Sequence, residues 1–361
     1  MASDNKLDII RNRIDDIDKK LIGLISDRAT LATEVAEIKK SNNGPTDFYR
    51  PEREAQILRR VIKENKGPLA DEELARLFRE LMSACLALEQ SLKISFLGPE
   101  GTFSHSAVLK HFGNSVESCA TTGIDQVFHQ VQTGACDYGV VPIENSIEGV
   151  INQTLDLLII SNLKICGEVE LRINQCLMSS SKNRKKIKKI YSHQQSLAQC
   201  RAWLDSNMPG IERIPVISNA EAARLAKSDE KIAAIGGVAN AELYKLKILD
   251  KNIEDESDNS TRFLVISDKD IPPSGDDKTS LIFSMPSKPG ALLKMLQCFA
   301  DNKINLTRIE SRPSRRELWE YIFYVDVEGH SQDKIMSKAI NRLNSEASMV
   351  KLLGSYPRAV L

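Results

Sequence analysis

Asn259-Ser260-Thr261-Arg262-Phe263-Leu264-Val265-Ile266 sets a hydroxyl and a guanidinium directly before four consecutive apolar residues. The apolar run reads as a buried strand, and the irregular acidic stretch Ile253 to Ser260 before it reads as a loop. A polar pair held at a strand end is a common way for a rigid scaffold to present chemistry, although an ordinary turn would look the same. Working outward, further strand-like runs (Ile94 to Leu97, Tyr138 to Val141, Lys189 to Tyr191, Ile232 to Ile235) alternate with helical stretches, the pattern of an α/β domain. The α/β texture begins at Lys93 and ends at the linker-like Ile271-Pro272-Pro273-Ser274-Gly275-Asp276-Asp277.

Before Lys93 the pattern is helical. Leu7 to Lys40 predicts one long helix, stopped by Ser41-Asn42-Asn43-Gly44-Pro45. Pro51 opens a second helix to Glu64, and Asp71 is expected to cap a third reaching Leu92. The first is too long for the other two to cover, so pairing of long helices between two chains is expected. After the linker, strand Thr279 to Ser284, helix Ala291 to Asn302, strands Leu306 to Ser311 and Glu320 to Val327, and a helix after Gln332 give a βαββα α+β module.

The bulk numbers exclude several classes. With 49 basic and 49 acidic residues in 361, no global field favours nucleic acid or an anionic membrane. No apolar run approaches the roughly 20 residues needed to span a bilayer, and Met1 to Lys6 is polar, unlike a signal peptide. Seven scattered cysteines without a Cys-x-x-Cys pair point to reduced thiols and a cytoplasmic location. Five histidines, none in a ligand-like pair, make a metal centre unexpected. No cofactor is expected. The basic run Lys182 to Lys189 reads as a solvated connection, since no aromatics interleave it.

On the long helix, Arg28 and Lys39 lie eleven residues apart and share a face, while Arg11 sits about 100° away and roughly 25 Å along the axis. Spacing alone describes solvated cations. Together with Pro51-Glu52-Arg53-Glu54 and Arg76-Leu77-Phe78, however, residues 1–92 resemble an all-helical chorismate mutase of the intertwined-dimer kind. The resemblance implies that Arg11 crosses from the partner, that Arg28 and Lys39 bind substrate in cis, and that Arg53, Glu54, Cys85 and Glu89 complete the site. Cys85 and Glu89 stand where the family usually has serine and glutamine, and Arg50 where it has aspartate, which leaves that loop's alignment open to a one-turn shift. A glutamate at 89 donates a hydrogen bond only when protonated.

In the α/β segment, strand Ile94 to Leu97 runs into Gly98-Pro99-Glu100-Gly101-Thr102-Phe103-Ser104-His105, an anion-binding strand–glycine loop–helix arrangement but neither a Walker nor a dinucleotide loop. Val141-Pro142-Ile143-Glu144-Asn145-Ser146 and Ser192-His193-Gln194-Gln195 are polar clusters at strand ends, where open α/β sheets bind ligands. With Thr261-Arg262-Phe263 these segments resemble prephenate dehydratase over residues 93–270, a two-lobed fold like a periplasmic binding protein. The resemblance implies a site of Glu144, Asn145, Ser192, Gln199, Thr261 and Arg262, with Arg262 and the Gly101 loop on carboxylate and either Thr261 or Glu144 donating to the leaving hydroxyl.

Residues 278–361 resemble an ACT regulatory domain through Pro289-Gly290-Ala291-Leu292-Leu293 and Ile309-Glu310-Ser311-Arg312-Pro313. The resemblance implies an amino-acid effector, phenylalanine, held by Gly290, Ala291, Leu292, Leu293, Glu310, Ser311, Arg312 and Pro313. The whole pattern resembles the bifunctional chorismate mutase–prephenate dehydratase family, an isomerase and carbon–oxygen lyase of phenylalanine biosynthesis, present as a homodimer or tetramer. The alternative is a two-lobed small-molecule sensor with an inert helical dimerisation domain.

Overall fold

A computed structural model describes residues 2–41, 48–285, 288–313 and 321–360. The expected helix stop at Asn42 to Pro45 and the first residue of the expected strand at Glu320 lie outside the described residues. The chain forms two compact units, one within Met1–Arg50, Ile57–Leu92 and Phe112–Glu117, the other within Pro51–Gln56, Lys93–His111 and Ser118–Leu361.

The first unit is helical. Helix α1 (Ala2–Ser41) starts earlier than its apolar pattern does. Helices α2 (Pro51–Glu64) and α3 (Asp71–Glu89) follow, with Pro51 in the first turn of α2, where a missing N–H costs nothing. Asp71 is not the cap of α3: Ala70 holds that position, and Asp71, Glu72 and Glu73 instead place three carboxylates in the first turn, facing the positive end of the helix dipole. The apolar stripe of α1, from Leu7 through Ile10, Ile14, Ile17 and Leu21 to Ile38, is exposed in the single chain. The loop after Phe112 joins this unit: Glu80 accepts from the Asn114 backbone and side-chain amides, and Ser83 Oγ from Ser115 N.

The second unit starts with β1 (Lys93–Leu97), α4 (Phe103–Phe112), β2 (Glu117–Thr121), α5 (Ile124–Gln132), β3 (Tyr138–Asn145), β4 (Gly149–Val150), α6 (Asn152–Ile160) and β5 (Lys164–Arg172). The chain then crosses to a second sheet made from β6 (Cys176–Ser179), β7 (Lys189–His193), β8 (Glu212–Val216), β9 (Ile232–Gly236) and β10 (Lys247–Lys251), in the order β10-β6-β9-β7-β8. Helices α7 (Gln194–Gln199), α8 (Arg201–Asn207), α9 (Asn219–Ser228) and α10 (Val238–Tyr244) connect these strands. Finally β11 (Ser260–Ser267) returns to the first sheet, ordered β2-β1-β3-β11-β5 with β4 on β3. Two crossings between two sheets make the two-lobed architecture. The opening octapeptide is therefore a central strand, antiparallel to both β3 and β5, which explains its unbroken apolar run.

The last module comprises β12 (Asp277–Met285), α11 (Ala291–Ala300), β13 (Leu306–Pro313), β14 (Tyr321–Glu328), α12 (Lys334–Glu346) and β15 (Met349–Pro357), with strand order β13-β14-β12-β15. The strand β15 extends the expected βαββα order by one element. The helices cover one face of this sheet through Phe283, Met295, Phe299, Phe323, Met336 and Leu343. The other face shares a core with the first lobe, where Ile282, Tyr324, Leu353 and Tyr356 meet Ile143, Leu155, Ile165 and Leu264. Gly354 presses so closely on the Ile165 backbone that a Cβ there would collide with its carbonyl. The expected linker folds as a turn on the surface, with Pro272, Pro273, Gly275 and Asp276 exposed and Ile271, Ser274 and Asp277 buried: the Asp277 carboxylate accepts from Ser274 N, Gly275 N and Ser274 Oγ.

Candidate active sites

A cleft of about 420 Å³ opens between the two lobes, within the range that takes a small ligand. Its first-lobe wall is the Gly98-to-Ser104 loop, the ends of β3 and β4, and the start of β11; its second-lobe wall is the N-terminal ends of α7 and α9. Gly101 adopts φ +85°, and a Cβ there would meet Asn240 Oδ1 at 2.6 Å, so glycine is required for the loop to close over that amide. His105 Nδ1 accepts from Gly101 N at 3.2 Å, and burial pushes the His105 pKa down, favouring the neutral ring that this bond needs.

Thr261 and Asn145 pair directly across β11 and β3, and both line the cleft. Asn145 Nδ2 donates to Thr261 Oγ1 at 2.9 Å and to Asn259 Oδ1 at 2.7 Å. Asn145 Oδ1 accepts from Ile147 N and Glu148 N, which fixes the amide's orientation. Because the Thr261 oxygen already accepts a hydrogen bond, its own proton is turned elsewhere and is available to a ligand. Gln199 also lines the cleft, linking Gln175 on one side to Glu148 on the other at 3.1 and 3.3 Å.

Three expected site residues lie elsewhere. Ser192 is fully buried, donates to the Ile235 carbonyl and binds Asn219 Oδ1, so it holds Asn219 at the cleft wall rather than lining it. Glu144 and Arg262 are also absent from the lining, because successive strand residues point to opposite faces. Arg262 lies between the first lobe and the last module, 2.8 Å from Glu168, 2.5 Å from Asp326 and 3.1 Å from the Tyr356 hydroxyl. Glu144 is bound by Arg308 Nε at 2.5 Å. Burial disfavours the Asp326 charge, but Arg262 and Ser280 outweigh burial and hold its pKa below the usual value. In this arrangement Arg262 is engaged at the last module and not at the cleft wall.

No lysine or arginine lines the cleft among the described residues. Anion-holding capacity falls instead to backbone N–H groups at the first turn of α4 and around Ser218-Asn219 at the start of α9, with the hydroxyl of Ser104; the Thr102 hydroxyl is spent on the Leu97 and Pro99 carbonyls. Glu148, Gln175, Ser196 and Asn219 are cleft residues that the sequence pattern did not single out. Asn-Ala-Glu at 219–221 after a polar Ser218 was the available signal, a helix start beside a strand end.

In the first unit, Lys39 and Glu89 approach to 3.9 Å, and Glu89 Oε2 is buried without a hydrogen-bond partner among the described residues. Burial raises the Glu89 pKa, and Lys39 and Arg28 pull it partly back. Arg28 and Lys39 are half-buried, Cys85 is buried, and Arg11 is exposed. Arg53 (exposed) and Glu54 (half-buried) stand in the first turn of α2, in the second unit.

In the last module, Gly290 caps α11 at φ +77°, a left-handed conformation that favours glycine, and Ala291, Leu292 and Leu293 form the first turn after it. Glu310, Ser311, Arg312 and Pro313 lie along β13. Arg312 reaches the first lobe, donating to the Asn152 carbonyl at 2.8 Å and pairing with Asp156 at 2.9 Å.

Residues 10–90 match the chorismate mutase type II family, 94–271 prephenate dehydratase and 279–344 the ACT domain. The chain is 52% identical over 365 residues to a bifunctional chorismate mutase/prephenate dehydratase of Pseudomonas aeruginosa, covering 100% of each. A protein of the same description from Aquifex aeolicus is 44% identical, with 98% of each chain covered. Among solved structures, a prephenate dehydratase from Arthrobacter aurescens in complex with L-Phe matches with a TM-score of 0.68 and 34% identity, over 74% of this chain and 90% of that one.

Proposed function

The chain belongs to the bifunctional chorismate mutase/prephenate dehydratase family, and from that premise we propose how its residues divide the two reactions. The observation that carries the dehydratase assignment is the Thr261 hydroxyl, oriented by Asn145 at the wall of a cleft that no described lysine or arginine lines.

In the dehydratase step prephenate loses its ring carboxylate as carbon dioxide. The electrons of the breaking carbon–carbon bond flow into the ring as the carbon–oxygen bond to the hydroxyl breaks, giving aromatic phenylpyruvate. The substrate supplies its own electrons, so no base is needed. Thr261 donates to the departing oxygen, and Asn145 sets its direction. A threonine hydroxyl is too weak an acid to act by full proton transfer, so its role is a hydrogen bond that strengthens as charge develops, and the departing hydroxide takes its proton from solvent to leave as water. The side-chain carboxylate is held by the backbone N–H groups of the cleft.

In the mutase step the enzyme holds the compact conformer of chorismate and stabilises charge on the ether oxygen. Arg28 clamps a carboxylate, Lys39 donates to the ether oxygen, and protonated Glu89 donates beside it. Arg11 serves the partner's site in a homodimer formed through α1. Phenylalanine, the ligand in the Arthrobacter structure, is the inhibitor bound around Gly290 and Glu310. The deciding experiment follows phenylpyruvate by ultraviolet absorbance with chorismate alone as substrate and no cofactor. Accumulation is expected, and its absence refutes the bifunctional assignment.

A further inference from the structure

The strand ends that bring Asn145 and Thr261 to the cleft bring Glu144 and Arg262 to the last module, because β3 and β11 pair Asn145 with Thr261 and Glu144 with Arg262. On that far side three cations, Arg262, Lys278 and Arg308, face three carboxylates, Glu144, Glu168 and Asp326. Glu168 is held twice over, by Arg262 and Lys278, each at 2.8 Å. Glu144 is held by Arg308 at 2.5 Å, with Arg262 farther off at 3.9 Å. Arg308 lies on β13, two residues before Glu310 and on the same face of the strand. It therefore ties the segment expected to meet the effector to the residue adjacent to Asn145. One guanidinium nitrogen of Arg308, Nη2, is buried with no partner among the described residues, so this grip is not fully satisfied in the present arrangement.

Taking the second unit as a prephenate dehydratase, we propose that Arg308 is a positioning residue of that reaction: its hold on Glu144 fixes the strand end that aims Asn145 and Thr261. Displacement of β13 at Glu310 moves Arg308 with it, loosens Glu144 and turns the Thr261 hydroxyl out of line. No group of the regulatory module needs to enter the cleft. Glu144 is then an anchor and not an acid. The coupling is physical because a strand transmits a shift on one face to the residue beside it on the other.

The test is steady-state dehydratase kinetics on the full chain with Arg308→Met, Arg308→Lys and Glu144→Gln, beside calorimetric binding of phenylalanine. Arg308→Met is expected to lower kcat by about tenfold or more with little change in KM, to bind phenylalanine still, and to lose the kinetic response to it. Arg308→Lys recovers part of kcat, since an ammonium also pairs with Glu144. Arg308→Met with wild-type kcat and full inhibition overturns the proposal. So does loss of kcat in Glu144→Gln while Arg308→Met keeps it, because Glu144 would then act on substrate. If Arg308→Met does not fold, undiminished kcat and inhibition in both remaining variants overturn the proposal. A wild-type chain that forms no phenylpyruvate from prephenate overturns the dehydratase function itself, and this role with it; an active wild type leaves the variants to judge Arg308 alone.

Discussion

In the proposed mechanism Thr261 and Glu89 are each a weak donor made useful by one neighbour or by burial, and the two failures expected of them differ. Thr261→Ala removes a directed hydroxyl from an otherwise intact cleft, leaving Asn145 Nδ2 still bonded to Asn259. Dehydratase kcat is expected to fall about a hundred- to a thousandfold, the usual cost of one charge-stabilising donor, while mutase turnover is retained. Parallel assays of the two activities on one preparation check this, and retained dehydratase turnover removes Thr261 from the mechanism. Glu89 depends on pH. Burial raises its pKa, so its donor form survives to higher pH than an ordinary glutamate's. Mutase activity is expected to fall as pH rises through that pKa, by about tenfold per unit once well above it. Glu89→Gln donates at any pH and should flatten the alkaline limb. An unchanged profile in that variant would falsify the role.

At the scale of elements, the pleat of β3 and β11 separates what the sequence sets side by side. Glu144-Asn145 and Thr261-Arg262 read as two site pairs because each is a polar dipeptide at a strand end. Each pair instead gives one residue to the cleft and one to the interface with the last module. Strand periodicity was visible in the sequence, but it cannot say which face is which until a partner sheet is known. Two other elements were hidden for physical reasons. Strand β15 is covered toward its end on both faces, so it lacks the alternation that marks a half-buried strand. Pro272-Pro273-Ser274-Gly275 has the composition of a linker, yet long-range packing buries Ile271 and Ser274 beside it. What was legible was local: the helices of the first unit, the strand–loop–helix of Gly98 to Ser104 and the strand ends of the cleft. The position of Arg262 away from the cleft lining gives a discriminating test. Arg262→Met leaves Asp326 and Glu168 buried with fewer partners, so thermal or urea unfolding should show about 3–5 kcal/mol of lost stability. A carboxylate ligand in the cleft would instead give a higher KM at unchanged stability.

For the whole molecule, the first unit leaves an apolar stripe of α1 exposed while the cores of the second unit are closed. The cores of the two lobes and of the last module are closed, with Phe263, Ile266, Phe283 and Tyr356 at or near zero exposure. Along α1, by contrast, Ile10, Ile14, Ile17, Leu21, Leu24 and Ile25 are exposed on a helix forty residues long. A contiguous apolar stripe of that size on one helix marks an interaction surface. The helix also carries the exposed Arg11, which lies too far along the axis from Arg28 to share the proposed mutase site of its own chain. A second copy of α1 satisfies both facts: it covers the stripe and receives Arg11. In a twofold dimer each substitution counts twice, and each isoleucine contributes roughly 2 kcal/mol of burial. Ile14→Glu combined with Ile17→Glu should therefore weaken dimerisation by more than about a thousandfold, since every 1.4 kcal/mol is about tenfold in affinity. Sedimentation velocity at micromolar concentration should show a dimer for the wild type and a monomer for the double variant. Mutase activity should be lost with the dimer, and if Arg11 acts across it as proposed, dilution of the wild type below its dissociation constant should lose mutase activity in step with mass. A wild type that is monomeric yet has full mutase activity would show that each chain builds its site alone and that Arg11 takes no part in it.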